Sequence, residues 1–134
     1  MQSIVALDIE TTGLDPERDE VIEIGAVRFR GNRVETEWET LLNPRRRIPP
    51  EITNLTGIST EMIVNAPAFS EVSASLTEFV GDLPILGHSV NFDLGFLQRR
   101  GLFLYHSSLD TFDFAAVMLP TARRYNLAAV ALEL

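Results

Sequence analysis

Two acidic side chains stand two residues apart at the end of an apolar run near the N-terminus. The run Ser3–Glu10 predicts an extended strand, in which alternate side chains point the same way, so Asp8 and Glu10 project together. Two carboxylates held this close repel each other unless one is protonated or a cation lies between them. Oxygen ligands select a hard ion, so the pair predicts a Mg²⁺ or Mn²⁺ site. Solvated strand-end acids that bind nothing are the alternative for so short a motif.

A third acid, Asp93, stands in an apolar arc in the second half of the chain. On a helical wheel it falls between two groups of apolar side chains. An ionised carboxylate in such a dry position needs a partner. We therefore expect Asp93 to join Asp8 and Glu10 in a carboxylate cup that holds one or two divalent ions, an arrangement suited to phosphodiester hydrolysis. The alternative is a first-turn Asp that the helix dipole stabilises.

Length and composition predict one folded domain over residues 1–134. Hydrophobic residues make up 46% of the 134 positions, which excludes a disordered protein. No apolar run approaches the length of a membrane span, and no charged-then-apolar leader opens the sequence. We expect a soluble, cytoplasmic protein with no membrane partner.

The absence of cysteine and the negative net charge exclude several kinds of functional site. The chain has no cysteine, so disulfides, thiol nucleophiles and Cys-ligated zinc are excluded. The net charge of −8 argues against a broad basic face for nucleic acid, but it allows an enzyme that meets phosphates through bound metal ions. The one basic run, Arg45–Arg47, is typical of a solvated loop, with phosphate steering as the alternative.

The apolar patterning predicts an α/β layer with a mixed sheet. A first strand, expected to be buried on nearly both faces, precedes a hairpin that turns at Gly31–Asn32. Later helices have local start and stop signals, including Ser89 as a possible cap for the helix that carries Asp93. The predicted strands are Ser3–Glu10, Glu20–Arg30, Val34–Asn43 and Leu83–Gly87; the predicted helices are Pro50–Gly57, one capped by Ser59 or Thr60, Ser70–Gly81, one after His88, Phe112–Met118 and Asn126–Leu134.

Several blocks in this order resemble the DEDD 3′→5′ exonucleases, most closely the DnaQ-type proofreading subunit of bacterial DNA polymerase III and the exonuclease domains of PolC- and DinG-type proteins. The blocks are Asp8–Leu14, Val21–Val27, Leu55–Ile58, Gly87–Leu97 and Leu109–Thr111. The match runs from Ile4 to the last residue. It implies a ribonuclease H-like fold, a mixed five-stranded sheet flanked by helices.

The resemblance also implies a reaction and its residues. Asp8, Glu10 and Asp93 match the catalytic carboxylates, which hold two Mg²⁺ or Mn²⁺ ions in the complete domain. The expected reaction releases nucleoside 5′-monophosphates from the 3′ end of single-stranded DNA or RNA, and the expected partner is a DNA polymerase or a fused helicase. The implied substrate-binding residues are Thr11, Thr12, Gly13 and Leu14, which contact the 3′-terminal nucleotide, with His88 and Phe92 near that pocket.

One family motif is missing from the sequence. Relatives carry a His five residues before an Asp, or a Tyr four residues before an Asp, beyond the segment matched by Tyr125–Leu127. Here the histidines are His88 and His106, and no Asp follows Asp113. We therefore expect a C-terminally truncated domain with weak turnover or none, because the general base of the third motif is missing. The idea that His88 replaces this base is less favoured. A non-catalytic module that binds a polymerase or helicase is the alternative; a phosphatase is less favoured because the D-x-D pair is absent.

Overall fold

A computed structural model of the protein describes residues 1–113. The predicted helix from Asn126 lies outside these residues, and so does most of the one predicted around Phe112–Met118. The strands in the described part are β1 (Ile4–Thr11), β2 (Val21–Arg30), β3 (Arg33–Leu41), β4 (Ile85–Gly87) and β5 (Ser108–Asp110). The helices are α1 (Pro50–Thr56), α2 (Phe69–Val80) and α3 (Val90–Arg99), with a single 3₁₀ turn at Glu61–Ile63.

The five strands form one mixed sheet in the order β3-β2-β1-β4-β5. β1, β2 and β3 pair antiparallel, whereas β1, β4 and β5 pair parallel. The predicted mixed five-stranded sheet flanked by helices is therefore confirmed. β5 has only three residues, too few for the alternating pattern that identifies a strand from sequence alone.

The core lies between one face of this sheet and helices α2 and α3. Val5, Leu7 and Ile9 of β1 point into it and are at most 5% exposed. The helices contribute Leu76, Val80, Leu94, Phe96 and Leu97 to the same cluster. The opposite face of β1 carries Ala6, Asp8 and Glu10, which are half-buried or exposed. The expectation that β1 is buried on nearly both faces was wrong, because α2 and α3 both pack on one side.

Local signals fixed several turns as predicted. Gly31 adopts a φ of 59° in the β2–β3 turn, a conformation that costs glycine little. Pro50 occupies the first turn of α1, and Gly57 ends that helix with a φ of 79°.

Two strand and helix details differ from prediction. β3 was expected to pack one face from Val34 onward, but Val34 is 57% exposed and Thr36 is exposed as well, because β3 is an edge strand whose face is covered only from Trp38 onward. α2 begins at Phe69 rather than Ser70, because the Glu71 carboxylate accepts a hydrogen bond from the backbone N–H of Ala68 at 2.6 Å. No helix within residues 1–113 is long and apolar enough to cross a bilayer. The cytoplasmic location stays a prediction.

Candidate active site

β1 and α3 meet where β1 extends past its parallel neighbour. β1 pairs with β4 at Val5 and Ala6, and β4 ends at Gly87. The chain then turns into α3, whose first turn lies beside the second half of β1. The backbone of Ile9 lies close enough to the Asp93 carboxyl group to lower its pKa, which places the two elements side by side. The predicted acids of the two sequence blocks are thereby brought to one place.

Asp93 is the most perturbed acid of this region. Its side chain is 4% exposed, and its Oδ2 atom has no hydrogen-bond partner among the described residues. Burial raises the pKa of Asp93 from 3.8 to about 7; the charge of Asp8 adds to the rise, the Ile9 backbone opposes it, and Glu10 and Asp110 add smaller amounts. At neutral pH this carboxyl group therefore favours a bound proton or a bound cation.

Asp8 and Glu10 are perturbed in the same direction. Although the Asp8 side chain is exposed, the protein around it still removes enough water to raise its pKa. Desolvation also raises the pKa of Glu10, followed by the charges of Asp8 and Glu23. Glu23 lies directly opposite Glu10 in the β1–β2 pairing. The sequence analysis missed Glu23, which the register of the hairpin could have revealed.

The carboxylates interact through their charges without forming a closed cup. Within residues 1–113, no group of three or more His, Asp or Glu side chains is gathered closely enough to hold a metal ion as it stands. The three predicted ligands are nevertheless hard oxygen donors, and the unpartnered buried Oδ2 of Asp93 fits a cation. That Asp8, Glu10 and Asp93 bind metal stays a prediction.

The loop after β1 is tied together by Asp19. One carboxylate oxygen accepts from the Thr12 hydroxyl at 3.1 Å, and the other accepts from the backbone N–H of Asp15 at 3.0 Å. A Cβ atom added to Gly13 would stand 2.4 Å from that same carboxylate. A side chain at position 13 would therefore displace the Asp19 carboxylate and disturb the two hydrogen bonds that it accepts.

The hydroxyl groups of this loop are used internally. Thr11 donates to the Gly13 carbonyl at 2.5 Å, and the Thr12 hydroxyl also accepts from the backbone N–H of Glu20 at 3.0 Å. Leu14, by contrast, is 83% exposed directly beyond the tied segment. Among the predicted substrate contacts in this loop, the Leu14 side chain is thus the one presented to solvent.

His88 precedes α3, whereas Phe92 lies in the first turn of that helix. The Nδ1 atom of His88 is 2.9 Å from the Thr111 hydroxyl, and its ring contacts the Phe112 ring edge-on at 5.7 Å between centroids. Its Nε2 atom is buried and has no hydrogen-bond partner in the described part of the chain. Phe92 is 37% exposed and packs against Phe96. Phe92 therefore presents an aromatic surface, whereas His88 is held by the segment after β5.

The α3 N-terminus is capped from a distant strand. Ser89 adopts a φ of 55°, and its side chain makes no capping hydrogen bond. The expectation that Ser89 caps the helix was wrong, because the Asp110 carboxylate at the end of β5 accepts from the backbone N–H groups of Ser89 and Val90 at 2.9 and 3.1 Å. The sequence analysis quoted Asp110 only as part of a block.

A groove of about 460 Å³ opens on the less covered face of the sheet. Asp8 and His88 line it, together with Gly25, which lies directly opposite Asp8. A Cβ atom added to Gly25 would have no atom within 4 Å. The carboxylate of Asp8 thus borders space that a ligand could enter.

A protein-family model described as Exonuclease matches residues 5–134. The chain belongs to the exonuclease family. This membership agrees with the resemblance to DEDD exonucleases that the sequence blocks indicated.

Relatives and a solved structure agree with the family. This exonuclease domain is 37% identical over 134 residues to the DNA polymerase III subunit epsilon of Aquifex aeolicus, covering 96% of the chain and 66% of that protein. It is 39% identical over 133 residues to the PolC-type DNA polymerase III of Thermotoga maritima, covering 96% of the chain and 10% of that protein. The chain thus spans less than two thirds of these relatives. A zinc-bound structure of E. coli Exonuclease I with single-stranded DNA shares the fold, with a TM-score of 0.81, 18% identity, and coverage of 98% of this chain and 35% of that one.

Proposed function

We propose that this protein is a metal-dependent 3′→5′ exonuclease of the proofreading type. It would release nucleoside 5′-monophosphates one at a time from the 3′ end of single-stranded nucleic acid. The observation that carries this proposal is Asp93, buried with an unpartnered oxygen and a pKa raised to about 7 beside the charges of Asp8 and Glu10. Burial and mutual repulsion make the ionised forms of these three acids unfavourable. A bound divalent cation would offset that cost.

Asp8, Glu10 and Asp93 would hold one or two Mg²⁺ or Mn²⁺ ions. When bound, such ions activate an attacking water and stabilise the charge on the leaving oxygen. The chain's own residues would position the substrate. The exposed Leu14 would pack against the terminal base, and stacking on Phe92 would add ~1–3 kcal/mol per base.

DNA is the favoured substrate, and a DNA polymerase the favoured partner. The relatives named above are DNA polymerase III proteins, and the structural neighbour holds single-stranded DNA. The net charge of −8 is compatible with this proposal if metal ions, rather than arginines, meet the phosphate at the cleaved bond.

The test is an exonuclease assay on the natural gene product at its full length, with residues 1–134 assayed in parallel. Residues 1–134 contain no His-x₄-Asp motif, so we expect them to be slow or inactive. With Mn²⁺ and a 5′-labelled oligonucleotide, the full-length protein should shorten the strand in single steps and release mononucleotides. Asp8→Ala should lower the rate at least about 100-fold, because it removes a proposed ligand of the metal ions that would meet the reacting phosphate.

Asp82→Ala is the matched control, since Asp82 is an exposed acid that precedes β4, whereas the site lies beyond the other end of that strand. It should retain the full rate. An Asp8→Ala protein as active as the Asp82→Ala protein would refute the proposed catalytic role. A full-length protein that releases no nucleotide, yet binds a polymerase, would favour the non-catalytic module, which the missing third motif within residues 1–134 supports.

A further inference from the structure

We propose that Asp110 is a positioning residue that holds the start of α3 and thereby keeps Asp93 at the edge of β1. This inference rests on the proposed function, because it concerns the same site. The Asp110 carboxylate accepts three backbone hydrogen bonds. One oxygen accepts from Ser89 at 2.9 Å and from Phe112 at 2.8 Å, and the other accepts from Val90 at 3.1 Å.

The start of α3 needs such an acceptor from elsewhere in the chain. The first N–H groups of a helix have no partner within the helix, and a side chain at the N-cap normally accepts from one of them. Ser89 does not do so, and it stands in the left-handed region at a φ of 55°. Asp110 supplies the missing acceptor from 20 residues after the first helical residue.

The segment after Asp110 reinforces the same junction. Thr111 donates its hydroxyl hydrogen bond to the Gly87 carbonyl at 3.3 Å, and the same hydroxyl lies 2.9 Å from Nδ1 of His88. The end of β5 is therefore attached at successive residues to the turn between β4 and α3. This attachment determines the direction in which α3 leaves the sheet.

The position of Asp93 depends on that direction. Asp93 lies three residues after Val90, one helical turn from the capped end. A change in the tilt of the first turn moves its carboxyl group relative to Asp8, and a misplacement of about 1 Å can lower a rate 100-fold. Asp110 is thus expected to act through α3 rather than by touching the substrate.

The experiment compares Asp110→Asn and Asp110→Ala in the full-length protein. Asparagine keeps one acceptor oxygen but loses the bond to Val90, whereas alanine loses all three bonds. We expect kcat to fall about 10-fold for Asp110→Asn and about 100-fold for Asp110→Ala, with KM for the oligonucleotide unchanged within about two-fold. The Ser89 and Val90 amides should exchange with deuterium at least about 10-fold faster in Asp110→Ala.

Asp113→Asn is the matched control. It removes the same charge three residues later, at an exposed side chain that makes no hydrogen bond among the described residues. It should leave kcat and both amides as in the parent protein.

Unchanged kcat and unchanged amide exchange in Asp110→Ala would overturn the inference, and so would a rise in KM alone. If Asp110→Ala does not fold, Asp110→Asn decides by the same readouts. Should the parent protein release no nucleotide, the proposed function fails. The amide exchange rates and the affinity for Mn²⁺ alone, expected to weaken several-fold in Asp110→Ala, would still test the placement of Asp93.

Discussion

Asp8 and Asp93 reach the same site by different routes. Asp8 stands on an eight-residue strand that pairs with β2 along its whole length, and its side chain remains exposed. Asp93 stands on a helix whose first turn is held by Asp110, and it is buried. The strand fixes its acid by local pairing, whereas the helix depends on a bond to a distant residue and carries the greater desolvation cost. Asp93 should therefore contribute more than Asp8 to the change of stability with pH and with bound metal.

The largest effect expected from this comparison is on pH-dependent stability. The pKa of Asp93 is about 7 in the folded protein, against an ordinary 3.8. The folded state therefore holds the proton more tightly. The stabilisation is complete below the ordinary pKa and is lost as pH rises through the folded value. Without metal, the free energy of unfolding should fall by about 2–3 kcal/mol between about pH 5 and pH 8.

Urea unfolding of metal-free protein at several pH values measures this slope. Asp93→Asn should remove most of it, because asparagine does not titrate. Asp8→Asn should keep most of it, since burial, rather than the Asp8 charge, is the larger cause of the raised pKa of Asp93. If the free energy of unfolding depended equally on pH in the two variants, the proposed distinction between the helix acid Asp93 and the strand acid Asp8 would be contradicted. Saturating Mn²⁺ should reverse the trend in the parent protein, because the ion binds the ionised carboxylates.

The next largest effect is expected from substituting glycines, one in the loop after β1 and one in α3. Gly13→Ala places a methyl group against the tied Asp19 carboxylate and should cost about 1–2 kcal/mol of stability and raise KM several-fold. Gly95→Ala on α3 is the matched change, because its nearest contact would be an ordinary 3.8 Å from Pro16. It should stabilise the protein by about 0.5–1 kcal/mol. Thermal unfolding and initial rates measure both, and a harmless Gly13→Ala would show that Asp19 yields easily.

The smallest effect on stability is expected at Leu14. Its side chain is 83% exposed, so Leu14→Ala should change the free energy of unfolding by less than about 0.5 kcal/mol. If Leu14 packs against the terminal base, KM for the oligonucleotide should nevertheless rise about 3- to 10-fold, from the lost apolar contact. An unchanged KM would remove Leu14 from the substrate site while leaving the proposed carboxylate chemistry intact.

Local patterns predicted much of the fold. The first strand, the turn at Gly31 and the ends of α1 and α2 at Gly57 and Gly81 follow from short-range chemistry, and each is confirmed within about one residue. The burial of Asp93 followed from its place in an apolar arc. Such features depend on neighbours within one or two turns of chain, which a sequence displays directly.

Long-range features were not predictable in the same way. β5 is too short to show a period, and the role of Asp110 depends on a partner 20 residues earlier in the chain. The pairing of Glu23 with Glu10 required the hairpin register. The face of β1 that stays open was missed, because an apolar run does not show on which side the helices pack. The third-motif prediction concerns residues outside those described.

The short contact between β1 and β4 has a consequence for how ions would enter. Because β4 ends at Gly87 while β1 continues to Thr11, the edge of β1 beside Ile9 faces the first turn of α3 and Asp93 instead of another strand. A hydrated cation would therefore approach Asp8 from the groove on the less covered face of the sheet, without any strands separating. The speed of loading would then be governed by how readily the ion sheds its water, so Mn²⁺ should arrive faster than the more firmly hydrated Mg²⁺.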